Sequence, residues 1–519
     1  MITRTFLASL LFFLPALAWA APIDARALTL QLYADHPAPF WMRAGQAPAR
    51  TALRLLAAAD THGLDPAQYG VAQLAARLAG PLDAAAEAML DRDLSAAMLQ
   101  YLADLHGGRA APGARVPASA GDDFDPVRSL RSALAAGGPE AAIAAAVPAL
   151  PLYGRVVDAL AHYRQLVRSM PPWPALPPAA RASLRPGDAY PGAAQLRARL
   201  RLLGDLDAGA ESDDDTTYSA ALAAAVRRFQ ARHGLEADGV PGRQTLAALA
   251  VPPTHRAAQL ALTLERLRWL PPPPRGRVIA INIPTYRLWA FDLSDANAAP
   301  PLEMRVIVGT AVRTPTPLFI GQMRYLELNP YWNVPRSIQM GDIVPRLARD
   351  PGYLERNDME LVARDGQVVH VSGSTAVARL RAGTVRVRQR PGRSNVLGAV
   401  KFAMPNPMNI YLHSTATPAL FARARRDLSH GCIRIEHPAQ LAQFVLADPQ
   451  RWDHASVAAA MAPGPPRTVA LPAPVPVVLF YATALVDRDG RVLFAQDIYG
   501  RDQALIAALG LDQGLNGDQ

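Results

Sequence analysis

At 519 residues the chain is three to four times the length of an ordinary domain of about 150, which excludes a single small binding module. Half of its residues are hydrophobic and 19% are charged, which excludes a largely disordered chain. The formal charge of +9 comes almost wholly from arginine, because Lys401 is the single lysine; the arginines are scattered and form no basic run interleaved with aromatics, which argues against nucleic acid and leaves other acidic partners open.

Residues 1–20 hold a basic residue (Arg4), an apolar stretch from Phe6 to Trp19 and then Ala18-Trp19-Ala20. This is the pattern of an export signal cleaved after Ala20, and the apolar stretch is shorter than the ~18 to 20 residues a membrane anchor needs. No cysteine follows the signal, which excludes lipid attachment there. From 21 to 180 the chain is rich in alanine and leucine, with helical spacing over Ala52–Ala59 and Leu90–Leu105, and predicts a helical scaffold in which no polar spacing suggests chemistry. A second helical unit, 185–251, follows a proline-rich stretch: Leu222, Val226 and Phe229 share one helical face, and the Asp238-Gly239 turn leads into a short third helix.

Pro271–Pro274 break the chain, and the pattern then changes from helix to sheet. A β-rich domain is expected over 275–462, with a hairpin at Val278–Ile283 and Arg287–Phe291 and further strands at Met304–Val308 and Arg324–Leu328. Its polar, Arg-rich stretch 336–395 alternates poorly and reads as a capping insertion over a site rather than as core. The apolar stretch Thr468–Val486 is not a transmembrane helix, because Pro472, Pro474 and Pro476 remove backbone donors. It predicts an extended lead-in and then a hairpin closed by Asp489-Gly490, so that 463–519 forms a C-terminal hairpin extension. The fold class is therefore multidomain α+β.

Export gives meaning to the cysteine count. Cys432 has no partner for an internal disulfide, and a lone exported thiol is either a small buried hydrophobe or chemically needed. Its context favours chemistry: Tyr411-Leu412-His413-Ser414 precedes Ser429-His430-Gly431-Cys432-Ile433-Arg434-Ile435. A thiolate attacks carbonyls, and an imidazole can accept the thiol proton and hold the anion as an ion pair. His413 and His430 both compete for that role. Backbone N–H groups around His430 to Cys432 could receive an oxyanion, with Gly431 allowing close approach. Arg434 projects opposite Ile433 and Ile435, toward a substrate carboxylate or a structural ion pair.

These residues resemble the catalytic motif of the L,D-transpeptidase family, and the stretch from Arg227 to Leu249 resembles a three-helix peptidoglycan-binding module. Asn329–Ile338 and Asp497–Asp502 are similar to segments of the large periplasmic members, which join a helical scaffold, such a module and a capped catalytic domain. The resemblance implies Cys432 as nucleophile, His413 as proton acceptor oriented through the backbone carbonyl of Ser414, and His430 and Gly431 lining the oxyanion pocket. It places Tyr411, Ser429 and Arg434 at substrate-contacting positions and Trp332 beside the entrance. The implied activity needs no cofactor: Cys432 takes the acyl group of a peptidoglycan tetrapeptide stem as a thioester, releases D-alanine and passes the acyl group to a second stem as a 3-3 cross-link, or to an envelope lipoprotein. The alternatives are a carboxypeptidase or murein hydrolase using the same thioester, and a non-catalytic murein-binding scaffold. A zinc site from His413, His430, Cys432 and His437 fits poorly, since the paired short spacings of structural zinc are missing.

Overall fold

The computed structural model describes residues 24–34, 39–43, 46–109, 124–169, 173–178, 184–207, 216–294 and 300–509. The export signal expected over 1–20 lies outside them. From Ala25 to Ala146 the regular elements are helices, several of which begin at an aspartate whose carboxylate accepts first-turn N–H groups: Asp24, Asp83 and Asp125 do this for Ala25–Tyr33, Ala84–Gly107 and Pro126–Ala135. Leu90, Leu94, Met98, Leu102 and Leu105 form the buried stripe of the long helix Ala84–Gly107 and centre a core that ends at Ala146. The next helix, Pro151–Ser169, packs instead on Pro253–Arg268 and on the C-terminal hairpin. The described residues of the region 21–180 thus divide among more than one packing unit, with Leu176 joining the core of the next helical module.

Helices Ala193–Leu202, Ala220–Arg232 and Arg243–Ala250 form the second unit around Leu196, Leu222, Val226 and Phe229. Gly239 has a φ of 78°, so the Asp238-Gly239 turn needs a residue without a Cβ. Gln230 holds that turn, accepting from the Gly239 N–H (2.8 Å) and donating to Asp238 Oδ1 (2.9 Å).

The β-rich domain contains β1 (Arg277–Asn282), β2 (Arg287–Asp292), β3 (Leu302–Gly309), β4 (Phe319–Leu328), β5 (Trp332–Asn333), β6 (Met359–Ala363), β7 (Val368–Val369), β8 (Val385–Gln389), β9 (Val400–Ala403), β10 (Leu412–His413), β11 (Asp427–Ser429), β12 (Ile433–Ile435) and β13 (Arg467–Phe480), with β14 (Ala484–Val486) and β15 (Val492–Phe494) beyond it. Nine strands form one sheet in the order β11-β3-β12-β10-β9-β4-β13-β1-β2, and β2 also pairs with β3, so the sheet curls round on itself. Its buried face carries Ile279, Val306, Leu326, Phe402, Leu412, Ile433 and Val477.

Two boundaries differ from those expected. The domain does not end at 462, because β13 lies between β4 and β1 with Val477 and Leu479 fully buried. Pro472 and Pro474 are accommodated where the β13–β4 register shifts between Ala470 and Val475, a place that needs no ladder donor. Within 463–519 the separate hairpin is β14–β15 alone, turned at Gly490 (φ 79°). The insertion 336–395 is also more than a lid without a core. It has its own sheet, β5-β8-β6-β7, and its own apolar cluster, which takes in Trp332 and Val334 upstream. Val385 and Val387 point into that cluster, and Arg388 on the opposite face pairs with Glu360. Because Leu328 pairs with Val400, the chain leaves and re-enters the main sheet side by side, and the cap sits on the end of that ladder.

Candidate active site

Strand register builds the site. Leu412 pairs with Phe402 on β9 and with Ile433 on β12, and all three are fully buried in the core. Side chains alternate along strands, so their neighbours His413, Lys401 and Arg434 lie together on the opposite face. Tyr411 and Cys432, one step before Leu412 and Ile433, share that face. The Tyr411 and His413 rings meet edge-on at 5.7 Å, and Lys401 Nζ lies 4.9 Å from the centre of the Tyr411 ring. Tyr411 packs against the cap cluster, which includes Trp332. The site therefore lies between the main sheet and the cap.

The turn before Cys432 is fixed by its own polar groups. Ser429 Oγ accepts from the Gly431 N–H (3.1 Å) and donates to Cys432 O (2.6 Å). Ser429 O accepts from Thr310 N (3.0 Å) and Thr314 Oγ1 (3.1 Å). Gly431 has a φ of 109°, a conformation that side-chain-bearing residues rarely adopt. A Cβ on neighbouring Gly309 would stand 1.9 Å from Thr314 O, so the two glycines let β3 and the turn approach closely.

The Cys432 thiol is half-buried and donates to Asn409 O at 3.4 Å. Burial pushes its pKa up, while the backbone and hydroxyl of Tyr411 and the charge of Lys401 favour the thiolate. His413 is buried. Loss of solvent, and then the charge of Arg434, push its pKa down to about 3; the backbone of Ser414 and Leu397 and the charge of Lys401 have smaller effects. Neither backbone group completes a well-formed hydrogen bond to the buried Nδ1. Burial thus disfavours the charged form of both the thiol and the imidazole, and no hydrogen bond joins the two among the described residues.

Several expected roles change. Ser429 is buried and its hydroxyl is spent on its own turn, so it is not free for substrate. The Gly431 N–H is likewise taken, which leaves the His430 and Cys432 N–H groups as the donors of that turn without a partner among the described residues. The His430 ring does not face the sulfur: its Nε2 lies 2.9 Å from Asp342 Oδ2 on the cap. Arg434 makes no ion pair among the described residues, its buried Nε lacks a hydrogen-bond partner, and burial lowers its pKa. Ser414 is buried behind His413, its N–H bonded to Val400 O (2.9 Å), and a Cβ on Gly398 would press on its hydroxyl at 2.6 Å. The four residues weighed for zinc do not converge; His437 Nε2 lies 3.6 Å from Glu436, and among the described residues no group of three or more His, Cys, Asp or Glu side chains could hold a metal. Sequence reasoning missed Lys401, Asn409 and Asp342. Only Lys401 carried a signal, as the single lysine of an arginine-rich chain.

Comparison with known proteins matches three segments of the chain. Residues 276–475 match the family model of the YkuD L,D-transpeptidase catalytic domain, 27–160 a "Scaffold domain" and 190–249 a "Putative peptidoglycan binding domain". A curated relative from Haemophilus influenzae, described as "Putative L,D-transpeptidase", is 33% identical over 268 residues, 51% of this chain and 53% of the relative. The chain thus spans about half the length of the curated relative it matches. A crystal structure of an L,D-transpeptidase from Xylanimonas cellulosilytica is similar at 17% identity, covering 59% of this chain and 100% of that one, but its TM-score of 0.17 is too low to inform the fold. The segment that holds Cys432 is thus similar to the YkuD L,D-transpeptidase catalytic domain, and the segments before it are similar to a scaffold domain and a peptidoglycan-binding domain.

Proposed function

We propose that this protein is an exported, periplasmic L,D-transpeptidase that forms 3-3 cross-links in peptidoglycan. The observation that supports this most is that Cys432, His413 and Arg434 share one sheet face inside the segment matching the catalytic-domain model. The sulfur attacks the carbonyl of the third residue of a tetrapeptide stem. As the C–S bond forms, the thiol proton passes to His413. Collapse of the tetrahedral intermediate breaks the C–N bond, and D-alanine leaves with that proton on its amine. The amine of a second stem then attacks the thioester, a C–N bond forms, the C–S bond breaks and the thiol regains a proton.

In this reading a buried thiolate and a buried imidazolium are each costly alone, and they form together because each stabilises the other. Lys401 and Arg434 make the face electropositive, which suits a stem bearing a carboxylate. The helical module at 190–249 holds peptidoglycan near the site. An envelope lipoprotein with a free amine is a second acceptor. The test is product analysis with tetrapeptide muropeptides: wild type should give cross-linked dimer and free D-alanine, and Cys432→Ala neither. Cross-linking by Cys432→Ala would overturn the reading, and free tripeptide without dimer in excess acceptor would make the protein a hydrolase.

A further inference from the structure

Thr316 is fully buried, and both bonding directions of its hydroxyl are used: it accepts from the Gly309 N–H (2.9 Å) and donates to Gly431 O (2.8 Å). Thr316 is held in turn by Tyr499, whose hydroxyl accepts from the Thr316 N–H (3.1 Å) and donates to Gly309 O (2.6 Å). Tyr499 is fixed from the far end of the chain, since its own N–H donates to Tyr481 Oη (3.0 Å), which donates to Asp497.

In a trans peptide the C=O of one residue and the N–H of the next point in opposite directions in one plane. Anchoring Gly431 O to Thr316 therefore sets the direction of the Cys432 N–H. That N–H has no partner among the described residues, while the neighbouring Gly431 N–H is committed to Ser429. A glycine at φ 109° can rotate into other conformations unless something outside it holds the peptide, and Thr316 is the side chain that does so.

We propose that Thr316, backed by Tyr499 of the C-terminal segment, is a positioning residue that aims the Cys432 N–H at the oxyanion formed during acyl transfer. The proposal rests on the thioester reading above. Thr316 touches neither substrate nor sulfur. It acts by preorganising one donor, and donors of this kind lose most of their value when misdirected.

The test compares two reactions of the same sulfur by intact-mass spectrometry of the full chain: acylation by a tetrapeptide muropeptide, which forms an oxyanion, and alkylation by iodoacetamide, which does not. Thr316→Val should slow acylation by roughly 10- to 100-fold and leave alkylation within about 2-fold. Thr316→Ser keeps the hydroxyl and should recover most of the acylation rate. Tyr499→Phe keeps the ring and should slow acylation by a smaller factor, again without changing alkylation, which keeps the proposal open to test if Thr316→Val does not fold. Unchanged acylation in Thr316→Val or Tyr499→Phe would overturn the proposal, as would acylation and alkylation falling together without rescue by Thr316→Ser. A wild type that is alkylated but never acylated would overturn the parent thioester reading as well.

Discussion

Ser429→Ala removes one hydroxyl that satisfies two groups of the catalytic turn. In the native turn Ser429 Oγ accepts from Gly431 N–H and donates to Cys432 O, and both Ser429 and Gly431 are buried. Alanine leaves almost no cavity, so the cost is that of leaving a buried donor and acceptor unpaired. Such groups cost about 1–3 kcal/mol each, and relaxation of the turn toward solvent recovers part of this, which gives roughly 2–4 kcal/mol in total. For a domain near 200 residues, 1 kcal/mol corresponds to about 2–4 °C in melting temperature, so the catalytic-domain transition should fall by roughly 5–15 °C. Scanning calorimetry measures the fall, and stopped-time mass spectrometry of muropeptide acylation measures the loss of turn order, expected at about tenfold or more. Ser429→Thr, which keeps the hydroxyl, should sit nearer wild type on both scales. Melting within 1 °C of wild type together with unchanged acylation would refute the reasoning, and would return Ser429 to the substrate-contacting position that the family resemblance implies.

Three further outcomes are expected. Asp502 accepts from Arg266 and from Thr483 in a buried cluster that docks the C-terminal helix on Pro253–Arg268; Asp502→Ala strands the arginine and should cost about 3–5 kcal/mol, read as earlier melting and faster proteolysis after Gln496. Because burial pushes the Cys432 thiol up, iodoacetamide alkylation of the resting enzyme should accelerate only above the ordinary thiol range; a midpoint near pH 7 would reveal a preformed ion pair instead. His413 is held neutral down to about pH 3, whereas in the unfolded chain it protonates near 6.5, so the unfolded state binds more protons between those values and stability falls as pH falls through that window. The share of His413 is up to roughly 2 kcal/mol by pH 5, and His413→Asn should melt less steeply with acid than wild type.

The legible part of this protein is local. The Ser429–Ile435 segment carries its cysteine, its positive-φ glycine and its alternating strand within seven residues, and the alternation of Leu412 with His413 and of Ile433 with Arg434 already assigns the two faces. The Asp238-Gly239 turn and the helical stripes were equally readable, because capping and periodicity act over a few residues. What escaped is set by pairings distant in sequence. Nothing near Pro472 and Pro474 reveals that β13 lies between β4 and β1, since its partners are far upstream and prolines argue against a central strand. The helix Pro253–Arg268 is bracketed by proline runs that read as linker, although Leu260, Leu264 and Leu267 keep helical spacing. Asp342, Thr316 and Asn409 reach the site only through the cap, the β3–β4 connection and the loop before β10. The capping insertion looked coreless because its arginines line the solvent face of strands whose inward residues are valines.

The central claim is that Cys432 becomes acylated by a stem peptide. Intact-mass and peptide-mapping spectrometry of wild-type protein mixed with a tetrapeptide muropeptide tests it directly. The account predicts an adduct on Cys432 with the mass of the donor less D-alanine, which disappears on adding an acceptor amine as cross-linked dimer accumulates. Acceptor-dependent dimer formed without any adduct on Cys432, or no reaction at all by a folded wild type, would contradict it.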